Sequence, residues 1–260
     1  MQFFKTLTLL GTISIPFFCL YEWFEHALPK RQSYTIANQP VPLRILVISD
    51  LHGSPFLLHN KRFWKRIQEE KVDMICIAGD LINKYGEEKN FTVLPFLKML
   101  SEIAPVYYSY GNHESKWCMI NPEQFASYRK QVLNMGIHFL DNETALFEKE
   151  NKTIQIIGFT MPQSIYKKGK KPNITADLFT PVYKLAKHST DYTILLAHSP
   201  EYVKYYKKFP VNLICSGHLH GGIIRLPIIG GIVSPQLRLT RYTKGVYKLG
   251  NVLLLVSAGL

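Results

Sequence analysis

His218 and His220 sit at the end of a stretch, Ile214 to Gly222, in which an apolar run gives way abruptly at Gly217. Two histidines separated by one residue cannot share a helix face, but on a loop after a strand both can reach one centre or two adjacent ions. Imidazole at this density is the commonest means of holding Zn, Fe or Mn. Alone, such a pair is weak, because exposed loop histidines give the same spacing. It gains weight because the arrangement recurs. Asp50 and His52 follow the apolar run 44–49, and Asp80 follows the run 72–78 and Gly79. Asn112 and His113 follow the run 105–110 and Gly111, and His198 follows the run 192–197. Strand-like runs that each end in a metal-competent side chain are hard to account for as core filling.

Hard oxygen donors mixed with imidazole suit Mn, Fe or Zn better than Ca or a thiolate zinc site. There are more donors than one ion needs, and a carboxylate can bridge two. Two divalent ions about 3.5–4 Å apart clamp the attacking and leaving oxygens of an in-line phosphoryl displacement, and a water between them loses its proton readily.

The elements that must position these residues alternate. The β-branched runs at 44–49, 72–78, 105–110, 192–197 and 211–215 read as buried strands. Residues 57–71 read as an amphipathic helix, with Phe63, Trp64 and Ile67 inward and Lys61, Arg62, Lys65 and Arg66 outward. A helix is expected over 91–103. Another starts at Asn121-Pro122 and stops at Gly136. Short strands are expected near 137–140, 144–148 and 153–159. The segment 163–173 reads as a basic loop, and 175–188 as a helix broken near Pro181. The residues after Gly222 read as Gly-rich apolar chain, and 243–249 and 252–257 as a closing hairpin. Carboxylates and imidazoles at the C-terminal ends of strands sit where α/β proteins keep their chemistry.

With 260 residues, 47% hydrophobic and 19% charged, the chain can bury a sizeable core, and disorder is not expected. The net charge of +12 favours anionic partners such as phosphate esters, nucleic acid or anionic lipid surfaces. Four cysteines, Cys19, Cys76, Cys118 and Cys215, show no spacing for a disulfide frame or a thiolate metal site. Residues 6–21 carry no charge, and Trp23 and Phe24 follow. This reads as an uncleaved apolar anchor helix over 1–30, then a linker over 31–43 containing Pro40 and Pro42.

Taken together, Asp50-x-His52, Gly79-Asp80, Gly111-Asn112-His113-Glu114, His198 and Gly217-His218-x-His220 resemble the calcineurin-like metallophosphoesterases in motif and order. The likeness spans roughly residues 44–259. The continuation through Arg225-Leu-Pro227 and Ser257 to Leu260 is similar to a bacterial, membrane-anchored subgroup, some of whose members hydrolyse UDP-2,3-diacylglucosamine. The resemblance implies a four-layer αββα sandwich over 44–260, preceded here by the anchor helix. It implies two divalent metal ions, Mn favoured over Fe or Zn. Asp50, His52 and His220 would hold the first, Asp80 would bridge, and Asn112, His198 and His218 would complete the second. His113 would act on the substrate, protonating the leaving oxygen or stabilising the phosphoryl charge, and Glu114 would orient His113 or its loop. The implied activity is hydrolysis of a phosphodiester, phosphomonoester or pyrophosphate by a metal-bridged hydroxide. The substrate would be a phosphorylated small molecule or a lipid-linked one, met at the membrane. A nucleotide phosphodiesterase or nuclease is the alternative, although the apolar N-terminus argues against nucleic acid. A non-catalytic scaffold on the same fold is the second alternative, and the filled ligand positions argue against it. Relatives differ at Leu219 and Ile223, and continue beyond the equivalent of Leu260, so the chain is expected to be truncated or to lack that segment.

Overall fold

Four parallel strands come first in the architecture: β1 (Ile45–Ile48), β2 (Met74–Ala78), β3 (Val106–Ser109) and β4 (His138–Leu140), adjacent in that order. They are seen in a computed structural model, which describes residues 31–259 apart from 38, 56–57, 86–87, 168–171, 187–189, 223, 227–229 and 235–238. The second sheet has six strands in the order β11-β12-β8-β7-β6-β5. These are β5 (Glu143–Lys149), β6 (Lys152–Phe159), β7 (Tyr192–Ala197), β8 (Leu213–Ser216), β11 (Gly245–Leu249) and β12 (Val252–Val256). Its four central strands are parallel, and the two edge strands run antiparallel to their neighbours. Every residue of β2, β3, β7 and β8 is buried, as the unbroken apolar runs require of strands covered on both faces.

Three hydrophobic clusters separate the layers. Between the sheets lie Met74, Cys76 and Tyr107 from one sheet and Ile154, Ile156, Ile194, Leu196 and Cys215 from the other. The opposite face of the four-stranded sheet, including Ile75, Ile77 and Tyr108, packs on α1 (Lys61–Glu69), α2 (Val93–Ser101), α3 (Asn112–Ile120) and α4 (Pro122–Asn134). The outer face of the larger sheet, including Phe159, Leu195 and Ile214, packs on α5 (Thr180–Leu185), α6 (Val203–Tyr206) and the short 3₁₀ turns before them. The alternation of inward residues on each strand thus yields helix, sheet, sheet, helix.

α1 starts later than its apolar period predicts because the Asn60 side chain accepts the Phe63 amide and caps it there, with Trp64 and Ile67 buried. Two elements were not expected. Asn112–Ile120 is a helix, where a loop is predicted after β3. A small hairpin, β9 (Ile224–Leu226) with β10 (Gly230–Val233), occupies the Gly-rich stretch.

The expected N-terminal apolar anchor helix is corrected. A spanning helix needs about 20 apolar residues, whereas α4, a long helix by the standards of this fold, has 13. Among the described residues no helix is long and apolar enough to cross a membrane. Residues 1–30 lie outside the described residues. The expectations that rested on that helix, a membrane-anchored subgroup, a transmembrane segment, a membrane partner and a membrane-associated location, have no spanning helix among the described residues to support them.

Candidate metal centre

The C-terminal ends of β1, β2, β3, β7 and β8 converge at one rim of the sandwich, and the loops leaving them continue to pair. The Asp50 amide donates to the Gly79 carbonyl and the His52 amide to the Asp80 carbonyl, both at 3.1 Å; the Gly217 amide donates to the His198 carbonyl at 2.9 Å. Asp50, Asp80, His198 and His218 are buried, while His52, Asn112, His113 and His220 are half-buried and reach the opening.

Three groups of donors form there, each within ligand reach of a common point: Asp50, His52 and His220; Asp80, His198 and His218; and His52, Asp80 and His113. Shared residues chain them into one cluster. Close donor pairs are His198 Nε2 to His218 Nδ1 at 3.1 Å, His52 Nδ1 to His113 Nδ1 at 3.1 Å, His52 Nε2 to His220 Nε2 at 3.2 Å, and His198 Nε2 to Asp80 Oδ2 at 3.1 Å. Metal–nitrogen bonds of about 2.1 Å place neighbouring ligands of one ion roughly 3.0–3.4 Å apart. These spacings therefore fit edges of a coordination polyhedron. Asn112 Oδ1 gives a second observation in favour of a cation: it is buried with no hydrogen-bond partner, an unsatisfied oxygen that an ion would complete. The residues present fit divalent metal ions, without fixing which.

The backbone is specialised at the donors. Asp50, His52, Asp80, His218 and His220 all adopt the left-handed region, with φ of 57°, 51°, 55°, 71° and 50°. Each costs on the order of 1–3 kcal/mol for a residue with a side chain, and persists because the flanking pairing holds the loops. Close packing fixes the carboxylates too. A Cβ on Gly111 would strike the Asp80 carboxylate, and one on Gly217 would strike the Asp50 carboxylate and lie 2.6 Å from Ser49.

Each carboxylate also accepts an amide from another block: Asp80 Oδ1 from His113 at 2.8 Å, and Asp50 from His218 at 3.0–3.1 Å. The Ala78 carbonyl lies 2.6 Å from His198 Nδ1, and since a carbonyl only accepts, Nδ1 carries a proton and Nε2 faces the cluster. The Ile82 carbonyl, 3.2 Å from His113 Nδ1, orients that ring likewise, with Nε2 3.8 Å from Asp80 Oδ2.

Glu114 touches none of the donors' reactive atoms. Wholly buried, it accepts from Tyr108 Oη at 2.6 Å, from the Gly111 amide at 2.7 Å, and from the Asp80 and Leu81 amides at 2.8 and 3.0 Å. It locks the loop after β2 to the start of α3. Burial pushes its carboxyl up, as does Asp80, while the donated bonds pull it back.

Burial would raise Asp80 as well, but the His198, His113 and His52 imidazoles hold it well below the usual carboxylate range. Burial opposes charge on His198, yet Asp80 first and then Asp50 lift it to about 10. For His52 burial wins over the same carboxylates and lowers it to about 4. One imidazole is thus held with a proton that a cation could displace, and another is ready as a neutral donor.

All eight expected site residues lie at this rim. Two contributors gave no signal in the sequence. The Gln163 amide donates to the Asn112 carbonyl at 2.6 Å, and the Tyr166 ring sits edge-on to His218 with centroids 5.1 Å apart. Both lie in the segment expected to be a basic loop, where no local pattern marks them.

A sequence model described as calcineurin-like phosphoesterase matches residues 43–222. "Phosphodiesterase YaeI" of Escherichia coli is 26% identical over 240 residues, covering 90% of this chain and 80% of that protein. "Uncharacterized metallophosphoesterase YkuE" of Bacillus subtilis is 28% identical over 258 residues, 92% of this chain and 80% of that one. Among solved structures, a 5'-nucleotidase precursor from Thermus thermophilus shares the fold, with a TM-score of 0.55 at 15% identity. It covers 84% of this chain, which spans about half, 49%, of that longer one.

Proposed function

Because the chain belongs to the calcineurin-like phosphoesterase family and carries a metal-dependent phosphoesterase active site, we propose that it hydrolyses phosphodiesters with two divalent cations, Mn favoured. The observation that carries this reading is the continuous donor cluster, in which His52 and Asp80 are each shared between groups. Two ions, when bound, supply Lewis-acid activation of water and of the phosphoryl group. In this reading Asp50, His52 and His220 hold one, and Asp80, Asn112, His198 and His218 hold the other. Asp80, whose two oxygens face the His113 amide and His198, stands between them.

The chain's own groups do the rest. The Ala78 carbonyl fixes the His198 tautomer, and the amides of His113 and His218 hold the two carboxylates in place. His113, with Nδ1–H tied to the Ile82 carbonyl, presents Nε2 to the cluster, and with the ring doubly protonated it gives the Nε2 proton to the departing alkoxide and keeps the one on Nδ1. The diester preference draws support from the E. coli relative, whose name states that activity. Mn is favoured because mixed imidazole and carboxylate donors with an amide oxygen make a hard site.

The test is hydrolysis of bis(p-nitrophenyl) phosphate by the purified chain, with added Mn, with a chelator, and as Asp80→Asn. Activity that needs Mn and is lost in the other two arms is expected. A folded protein that binds no metal would sink the reading.

A further inference from the structure

α3 begins inside the metal centre and leads out of it. Asn112, Lys116 and Met119 recur at i, i+4 and i+7, so they lie along one stripe of the helix, while Glu114 and Trp117 face the core. The stripe runs about 10 Å from Asn112 to Met119 at 1.5 Å per residue. Its outer end is apolar and open: Met119 is 66% exposed and Ile120 40%.

A loop from the same centre comes to the same place. The Ile82 carbonyl contacts His113, and Asn83 is pinned on both sides by Asn90, at 2.7 and 2.8 Å. Two residues further on, the Tyr85 carbonyl accepts from Asn121 Nδ2 at 3.3 Å, just past the end of α3. Tyr85 is 60% exposed, and Lys84 Nζ lies 5.0 Å from its ring centre.

Apolar side chains exposed singly are ordinary, whereas contiguous ones mark contact surfaces, and the Asn121–Tyr85 hydrogen bond brings Tyr85 beside the end of α3 that carries Met119 and Ile120. Here the patch is continuous with the metal centre through both α3 and the 82–85 loop, and it is flanked by the cations of Lys84 and Lys116. A purely apolar ligand would leave those charges unused, and a bare phosphate would leave the apolar side chains unused.

We propose that Tyr85, Met119 and Ile120, flanked by Lys84 and Lys116, form a subsite for an apolar alkyl or aryl group attached to the scissile phosphate. The proposal rests on the phosphodiesterase reading for its chemistry. The patch selects among phosphodiesters by the group that stays behind, and its distance from Asn112 sets a useful length of about 10 Å, roughly that of an octyl chain.

The test uses the metal-loaded full chain and two p-nitrophenyl phosphodiesters, one carrying methyl and one octyl. Calorimetric binding of methylphosphonate and octylphosphonate is measured in parallel. The octyl compounds are expected to be preferred at least about tenfold in kcat/KM and in affinity, since several buried methylenes are worth more than one decade. In Tyr85→Ala/Met119→Ser the octyl-to-methyl ratio should fall to about threefold or less, while Tyr85→Phe keeps it. Equal handling of methyl and octyl compounds by the unmodified chain would overturn the subsite, as would a double variant that keeps the preference. Preferential octylphosphonate binding without hydrolysis of either diester would instead sink the phosphodiesterase reading and leave the subsite standing.

Discussion

Asp80 concentrates more of the site than any neighbour. One oxygen accepts the His113 amide, the other lies 3.1 Å from His198, and its charge raises that imidazole. Asp80→Asn keeps the shape and removes the charge, so we expect kcat to fall by at least about a hundredfold with little loss of fold, measured by diester hydrolysis beside a thermal melt. The pH dependence of the metal-free protein follows from His198. Its folded pKa of about 10 lies above the ordinary 6.5, so the stabilisation of the charged ring is complete below about 6.5 and is lost as pH rises towards 10. Thermal melts of chelated protein should therefore decline across that window. Metal loading should release a proton there, seen by calorimetry in buffers of different ionisation enthalpy. At this scale the sequence was informative. Residue types and order pointed to the side chains that meet at this rim, because metal chemistry constrains composition directly. The left-handed backbone at five donors was not legible, since that conformation ordinarily selects Gly or Asn and nothing in an Asp or His announces it.

Among the elements, α3 shows how a helix can serve a site and hide in a sequence. Asn-His-Glu-Ser-Lys offers no apolar period, and Gly111 is a modest cap, so the strand end read as a loop. What holds the first turn is Glu114, whose partners come from β3 and the loop after β2. Glu114→Gln replaces an acceptor oxygen with a donor against those groups. It should cost roughly 2–4 kcal/mol in a urea titration and weaken metal binding in parallel. Gly217→Ala should separate the two effects. Its Cβ meets the Asp50 carboxylate, so metal affinity should fall more steeply than stability, read by metal titration against the urea midpoint. The β9–β10 hairpin escaped the sequence reading for a related reason: Pro and Gly interrupt the alternation that would mark short strands.

For the whole molecule, the four-layer order was an implication of the family resemblance; the apolar runs by themselves marked buried strands without saying how many sheets they form. How the two sheets meet was not legible, because it depends on contacts between strands far apart in sequence. Ile194 sits in that junction, fully buried between β6 and β8. Ile194→Ala should destabilise the protein by roughly 2–5 kcal/mol in a urea titration, with kcat/KM within about twofold. The donors divide along the same seam. Asp50, Asp80 and Asn112 follow strands of the four-stranded sheet, and His198, His218 and His220 follow strands of the larger one. Ions bound there would rivet the halves of the sandwich. At a free metal concentration a hundred times the dissociation constant, that linkage adds about 2.7 kcal/mol to folding. The lifetime of the protein should then track metal supply. Limited proteolysis should cut chelated protein many times faster than loaded protein, and in a starved cell its abundance would fall together with its activity.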